Sequence, residues 1–105
     1  MTPEGRIKRA VKALFKKYEV YHFSPATGGY GTSGIPDFVG CLEGKFFGVE
    51  CKADRTKSLT KLQELQGKLI VLAGGQFFVV CDQPSLSALE AWIKQERCGG
   101  ACEIG

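Results

Sequence analysis

"GIPDFVGCLEGKFFGVECK", residues 34 to 52, holds two short runs of Phe, Val and Leu separated by Glu43 and Gly44. Runs of this length and composition, bounded by Gly and Pro, read as a β-hairpin: "PDFVGC" pairs with "KFFGVECK" through a turn at Glu43–Gly44. On a strand of period two, Phe46, Gly48, Glu50 and Lys52 share one face, and Phe47, Val49 and Cys51 point to the other. Asp37 heads the neighbouring strand, so the hairpin can bring its carboxylate beside Glu50. Two carboxylates that close repel unless a cation lies between them or one keeps its proton. A magnesium-like ion, which prefers carboxylate, carbonyl and water oxygens, answers that requirement. Lys52 beside it can position or deprotonate a water, or neutralise charge developing on a phosphate. Without an ion, Asp37 reads as a turn residue after Pro36, and Glu50 with Lys52 as a solvated pair at a strand end.

Around the hairpin the pattern gives an α/β chain. In "TPEGRIKRAVKALFKKY", Ile7, Ala10, Val11, Leu14, Phe15 and Tyr18 recur at helical spacing behind an N-cap at Thr2 and a Pro at the first helical position. "VYHF" is a short strand. From Thr60 a second helix carries Leu62, Leu65, Leu69 and Leu72 on one face, with Ile70 and Val71 off that stripe, and ends at Gly74 and Gly75. "QFFVVC" is a further strand and "PSLSALEAWIKQ" a closing helix with Leu86, Leu89, Trp92 and Ile93 turned inward. The expected fold is a mixed β-sheet flanked by helices, in the order helix, three strands, helix, strand, helix. A crossover joins "KFFGVECK" to "QFFVVC" as parallel neighbours. The 105 residues make one domain, 1–105, with 97–105 expected as a flexible tail.

Five cysteines, an odd number, with no signal peptide, argue against a disulfide framework. Cys41, Cys51 and Cys81 read as reduced core thiols. Cys98 and Cys102 are spaced for a metal only if two further ligands join them. No stretch is long enough to span a membrane, so a soluble, intracellular protein is expected. "GYGTSG" matches a dinucleotide fingerprint, but Pro36 and a strand follow it where a helix is required. It reads instead as a mobile loop before Asp37, in which Tyr30 can stack on a base or sugar. His22 reads as a partly buried polar residue with no part in the chemistry.

Net charge is only +3, but the charges are unevenly placed. Lys8, Arg9, Lys12 and Lys16 occupy the outer arc of the first helix and read as a solvated face. Arg55, Lys57 and Lys61 follow the Glu-Cys-Lys triplet directly and are the better candidates for phosphate contact.

Taken in order, "GIPD", "ECK" and "LTKLQ" resemble the Pro-Asp … Glu-x-Lys signature of the PD-(D/E)XK nuclease superfamily and the L-[ST]-x-x-Q element of its VRR-NUC branch, in a stand-alone form. The resemblance implies a restriction-endonuclease-like core and a Mg2+- or Mn2+-dependent endonuclease. Asp37, Glu50 and the Cys51 carbonyl would be metal ligands, Lys52 would act in catalysis with Gln63 close by, and Glu4 is a further candidate ligand. Glu4 is equally accounted for by the helix dipole. The implied substrate is DNA, branched and in the first place four-way (Holliday) junctions. The implied assembly is a homodimer, and a viral or phage origin with action in a host cytoplasm is compatible. A non-cleaving nucleic-acid-binding module and a monomeric flap nuclease are the alternatives. Residues 67 to 80, rich in Leu, Ile, Val and Phe beyond the needs of one small core, are the expected dimer contact.

Overall fold

The structure, a computed structural model, describes residues 1–26 and 32–104, with side chains as far as Cys98. Seven elements follow one another: α1 (Pro3–Lys17), β1 (Tyr21–Phe23), β2 (Phe38–Leu42), β3 (Lys45–Cys51), α2 (Lys61–Leu72), β4 (Gln76–Val80) and α3 (Gln83–Ile104). The strands form one sheet in the order β1-β2-β3-β4. The first three are antiparallel, with Phe38 opposite Val49 and Leu42 opposite Lys45. β4 lies parallel to β3, and α2 is the crossover between them. This is the mixed sheet flanked by helices that the sequence pattern predicts.

Local chemistry explains most of the boundaries. Thr2 caps α1 by accepting the Gly5 N–H at 3.0 Å, and Pro3 stands where a missing N–H costs nothing. Between β2 and β3, Glu43 and Gly44 both take positive φ, 50° and 78°, the two-residue turn whose twist matches the strands it joins. The strain at Glu43 is partly offset by Arg97, which donates to its carboxylate at 2.9 Å and to the carbonyls of Tyr18 and Glu19 at the end of α1. α3 runs to Ile104, and Arg97 within it is tied to Glu43 and to the end of α1.

One face of the sheet packs on α1 and α3. Phe38, Leu42, Phe47, Val49, Cys51 and Val80 meet Val11, Leu14 and Phe15 of α1 and Leu89 and Ile93 of α3, all buried. His22 reaches the edge of this core, its ring centroid 4.6 Å from that of Phe15 and its Nδ1 2.9 Å from the Val20 carbonyl.

The other face carries α2, and here the pattern misleads. The stripe of Leu62, Leu65, Leu69 and Leu72 faces solvent, with exposures of 51, 49, 48 and 83%. Gly67 and Ile70 face the sheet instead. A Cβ on Gly67 would fall 2.6 Å from the Phe77 ring, and one on Gly48 would fall 2.9 Å from Ile70 Cδ1. The helix can approach this closely only along its small side, and leucines placed there would lift it from the sheet. Cys41 also departs from expectation. It lies on this second face of β2, opposite Phe46, and is exposed, whereas Cys51 is buried and Cys81 partly so. Cys41, Cys51 and Cys81 are free thiols.

Candidate functional site

The segment Gly34–Asp37 crosses the N-terminal end of α2 before entering β2. Gly34 has φ +83°, and a Cβ there would sit 2.5 Å from the Leu62 carbonyl, so only glycine lets the two segments touch. Thr60 and Gln63 form a reciprocal capping box at that end: Thr60 Oγ1 accepts the Gln63 N–H at 3.1 Å, and Gln63 Oε1 accepts the Thr60 N–H at 2.9 Å. The same Gln63 oxygen accepts from Lys52 Nζ at 2.8 Å, and its Nε2 approaches Glu50 Oε1 at 3.4 Å. One side chain therefore ends a helix and links the two polar residues of the Glu-Cys-Lys triplet.

Asp37 is held from the other side, with Oδ2 accepting the backbone N–H of Cys51 at 2.8 Å. Its Oδ1 faces Lys8 Nζ at 3.5 Å, and the same ammonium lies 3.3 Å from Glu4 Oε2. Burial works to lower the Lys8 pKa, but the charges of Asp37 and Glu4 outweigh it and the net shift is upward. Among the described residues Glu50 is the one buried charged side chain, and its Oε2 has no hydrogen-bond partner. Its carboxyl is pushed up to about 8, first by burial, then by the nearby Asp37 carboxylate, with Lys52 opposing. Burial beside Asp37 therefore favours the protonated form of Glu50 when no cation is present. The Cys51 thiol, turned into the core, is raised to about 12 by burial, so only the backbone at that position is available to chemistry.

The structure brings Asp37, Glu50, Lys52 and Gln63 together. Glu4 reaches Asp37 only through Lys8. Lys57 and Lys61 are exposed and make no salt bridge among the described residues, while Arg55 pairs with Asp82 at 3.1 Å. Tyr30 lies outside the described residues. Lys8 was legible only as part of a basic arc, because a Glu4–Lys8 pair at i,i+4 looks like any solvated helix pair.

The donors suit a hard cation. Asp37, Glu50 and the Cys51 carbonyl would hold it, with water or substrate oxygens filling the rest, as magnesium prefers. The orphaned Glu50 Oε2 supplies the unmet demand for a positive partner. No group of three or more His, Cys, Asp or Glu suited to a metal occurs among the described residues, so a closed structural site of the zinc kind is not formed by them.

No protein-family model matches the chain, and no curated protein does. Among solved structures it is similar to one described as a "VRR_NUC domain", with a TM-score of 0.73 and 26% identity over 85% of this chain and 95% of that one. With that likeness, and with the Pro-Asp … Glu-x-Lys residues gathered at one end of the sheet, the chain has the fold of a VRR-NUC domain, a nuclease fold of the PD-(D/E)XK type.

Proposed function

We propose that the protein is a divalent-metal-dependent endonuclease that hydrolyses phosphodiester bonds in branched DNA, four-way junctions first among them. The observation that carries this reading is the buried, unpartnered Glu50 Oε2 beside Asp37. A Mg2+ or Mn2+ ion bound there would supply the charge that polarises a phosphate oxygen and acidifies a water. The chain's own residues do the rest. The Cys51 N–H fixes the angle of Asp37. Gln63 keeps the Lys52 ammonium beside Glu50, where it can orient the attacking water or neutralise charge on the phosphate.

Paired nicks across a four-way junction need two sites, which a two-fold homodimer supplies. The outward leucines of α2 support that assembly, with Val71 57% exposed beside them and an apolar cleft formed by Gly67, Val71, Leu72 and Phe77. An apolar stripe left in water on a small domain is a recognition surface more often than an accident. On this reading the contact involves the leucine stripe, which begins at Leu62 and so reaches beyond the residues 67 to 80 that sequence alone pointed to.

Purified protein with Mg2+ and labelled linear, flapped and four-way DNA tests the reading. Symmetric nicks at four-way junctions and a dimer mass by light scattering are expected. Cutting of single flaps by a monomer would favour a flap nuclease, and binding without any cutting would favour an accessory module.

A further inference from the structure

Beside Asp37 a groove of about 340 Å³ opens between α1 and the start of β2, lined among others by Lys8, Lys12, Ser24, Pro36 and Asp37. We propose that Lys8 and Lys12 form a binding site for a backbone phosphate of the nucleic acid, and that Lys8 serves it only once a cation has taken over Asp37. The proposal rests on the nuclease reading and adds to it the route by which the substrate strand reaches the site.

Lys8 and Lys12 stand at i,i+4, so their side chains lie one above the other on the same face of α1. They are not equivalent. Lys12 is exposed and makes no salt bridge among the described residues, whereas Lys8 is shared between Glu4 and Asp37. In that arrangement the Lys8 ammonium is occupied by the carboxylates of Glu4 and Asp37 and is not free for a phosphate. A divalent cation at Asp37 and Glu50 would change that. An ion held there would replace Lys8 as the partner of Asp37 and leave an ammonium on a long, 40% exposed side chain available to the groove that Lys12 also lines. Cation and strand then bind cooperatively, because each removes a charge that opposes the other.

Lys8 lies against Asp37 itself, and Lys12 lines the same groove. Lys57 and Lys61, which follow the triplet in sequence, do not line the groove. The placement inverts the ranking that chain order suggests: the helix arc that reads as a solvated face is the one beside the site.

The test is fluorescence anisotropy of a labelled DNA duplex as a function of salt, with Ca2+ as the divalent ion and again in EDTA. In Ca2+, Lys8→Ala and Lys12→Ala should each reduce the slope of log affinity against log salt by about 0.9, the loss of one phosphate contact. Lys12→Arg should restore the slope, and Lys16→Ala, off the groove, should leave it unchanged. In EDTA, Lys12→Ala should still weaken binding, whereas Lys8→Ala should not, since Lys8 is then held by carboxylates. Circular dichroism melts confirm that each variant folds. Wild-type slopes for both Lys8→Ala and Lys12→Ala in Ca2+ would overturn the proposal while leaving the nuclease reading intact. Failure of the wild-type protein to bind DNA with any ion would remove both.

Discussion

Under α1 and α3 the sheet is covered by Val11, Leu14, Phe15, Leu89 and Ile93, all buried, whereas under α2 the covering helix buries only Gly67 and leaves four leucines about half exposed or more. Asp37, Glu50, Lys52 and Gln63 lie at the edge of this second, thinly covered face. The contrast divides the work of the molecule. The first face carries most of the apolar burial, which at about 25 cal/mol per Å² is the main stabilising term, so it can be well packed and chemically silent. The second can then hold a buried carboxyl without a partner, a cost that a marginally stable small domain tolerates only when its other side is firm.

The largest expected effect separates the faces by function. Asp37→Asn or Glu50→Gln should lower cleavage on the order of 10³-fold or more while leaving the circular dichroism spectrum unchanged, because each removes charge and almost no volume. Cys51→Val should retain activity, since that side chain belongs to the first face. Near wild-type turnover in Glu50→Gln with Mg2+ would detach the chemistry from the second face altogether.

Stability should sort the other way. Phe47→Ala, in the middle of the α1–α3 core and in ring contact with Phe15 and Trp92, should cost about 3–5 kcal/mol in denaturant unfolding. Leu65→Ala on α2 should cost under about 1 kcal/mol within a single chain, because half of that side chain is already in water. Comparable losses for the two substitutions would mean that α2 is covered as tightly as α1.

This asymmetry also explains what the sequence could and could not reveal. The order of elements, the cap at Thr2, the start of α2 near Thr60, the turn at Glu43–Gly44 and the inward face of α1 were all legible, because each depends on residues within a few positions of one another. Periodicity in α2 correctly grouped Leu62, Leu65, Leu69 and Leu72, but it says which residues share a face and not which face is covered. That choice was made by the fit of Gly67 against Phe77 and of Ile70 against Gly48, distant pairs with no local signature. In the site, strand alternation sufficed to put Glu50 and Lys52 together and to send Cys51 away. Lys8 was not legible as their neighbour, since its approach to Asp37 depends on how α1 lies across the sheet.

The pH dependence of stability follows from the buried carboxyl. The Glu50 pKa is about 8 in the folded protein without metal and 4.5 is its ordinary value, so the folded state binds the proton more tightly than the unfolded one. Its contribution is fully present below about pH 4.5 and is lost as pH rises towards 8. In EDTA the melting temperature should therefore fall between pH 6 and 8 by the equivalent of a few kcal/mol at most, and Glu50→Gln should flatten the curve and melt higher than wild type at pH 8. Added Mg2+ should stabilise the wild-type protein more at pH 8 than at pH 6, because at the lower pH it must displace the proton. A Glu50→Gln curve parallel to wild type would place the titrating group elsewhere.

The smallest effect concerns Gln63, where the two roles found in one side chain can be separated. Gln63→Ala removes the capping box and the acceptor for Lys52, and should cost about 1 kcal/mol of stability together with roughly tenfold in activity. Gln63→Glu keeps an acceptor at the third position of the helix, so the cap and the Lys52 contact survive and stability should stay within about 0.5 kcal/mol of wild type. The new carboxylate, however, stands where Gln63 Nε2 now donates towards Glu50, and it replaces a donor by a repelling charge. If Gln63 serves the site only by fixing Lys52, Gln63→Glu should cleave almost normally. If it also keeps the Glu50 carboxylate in place, Gln63→Glu should lose activity at pH 7 and recover part of it as Mg2+ is raised, since a higher ion concentration offsets the added repulsion. Equal activity of Gln63→Ala and wild type would reduce Gln63 to a helix cap and leave Lys52 positioned by β3 alone.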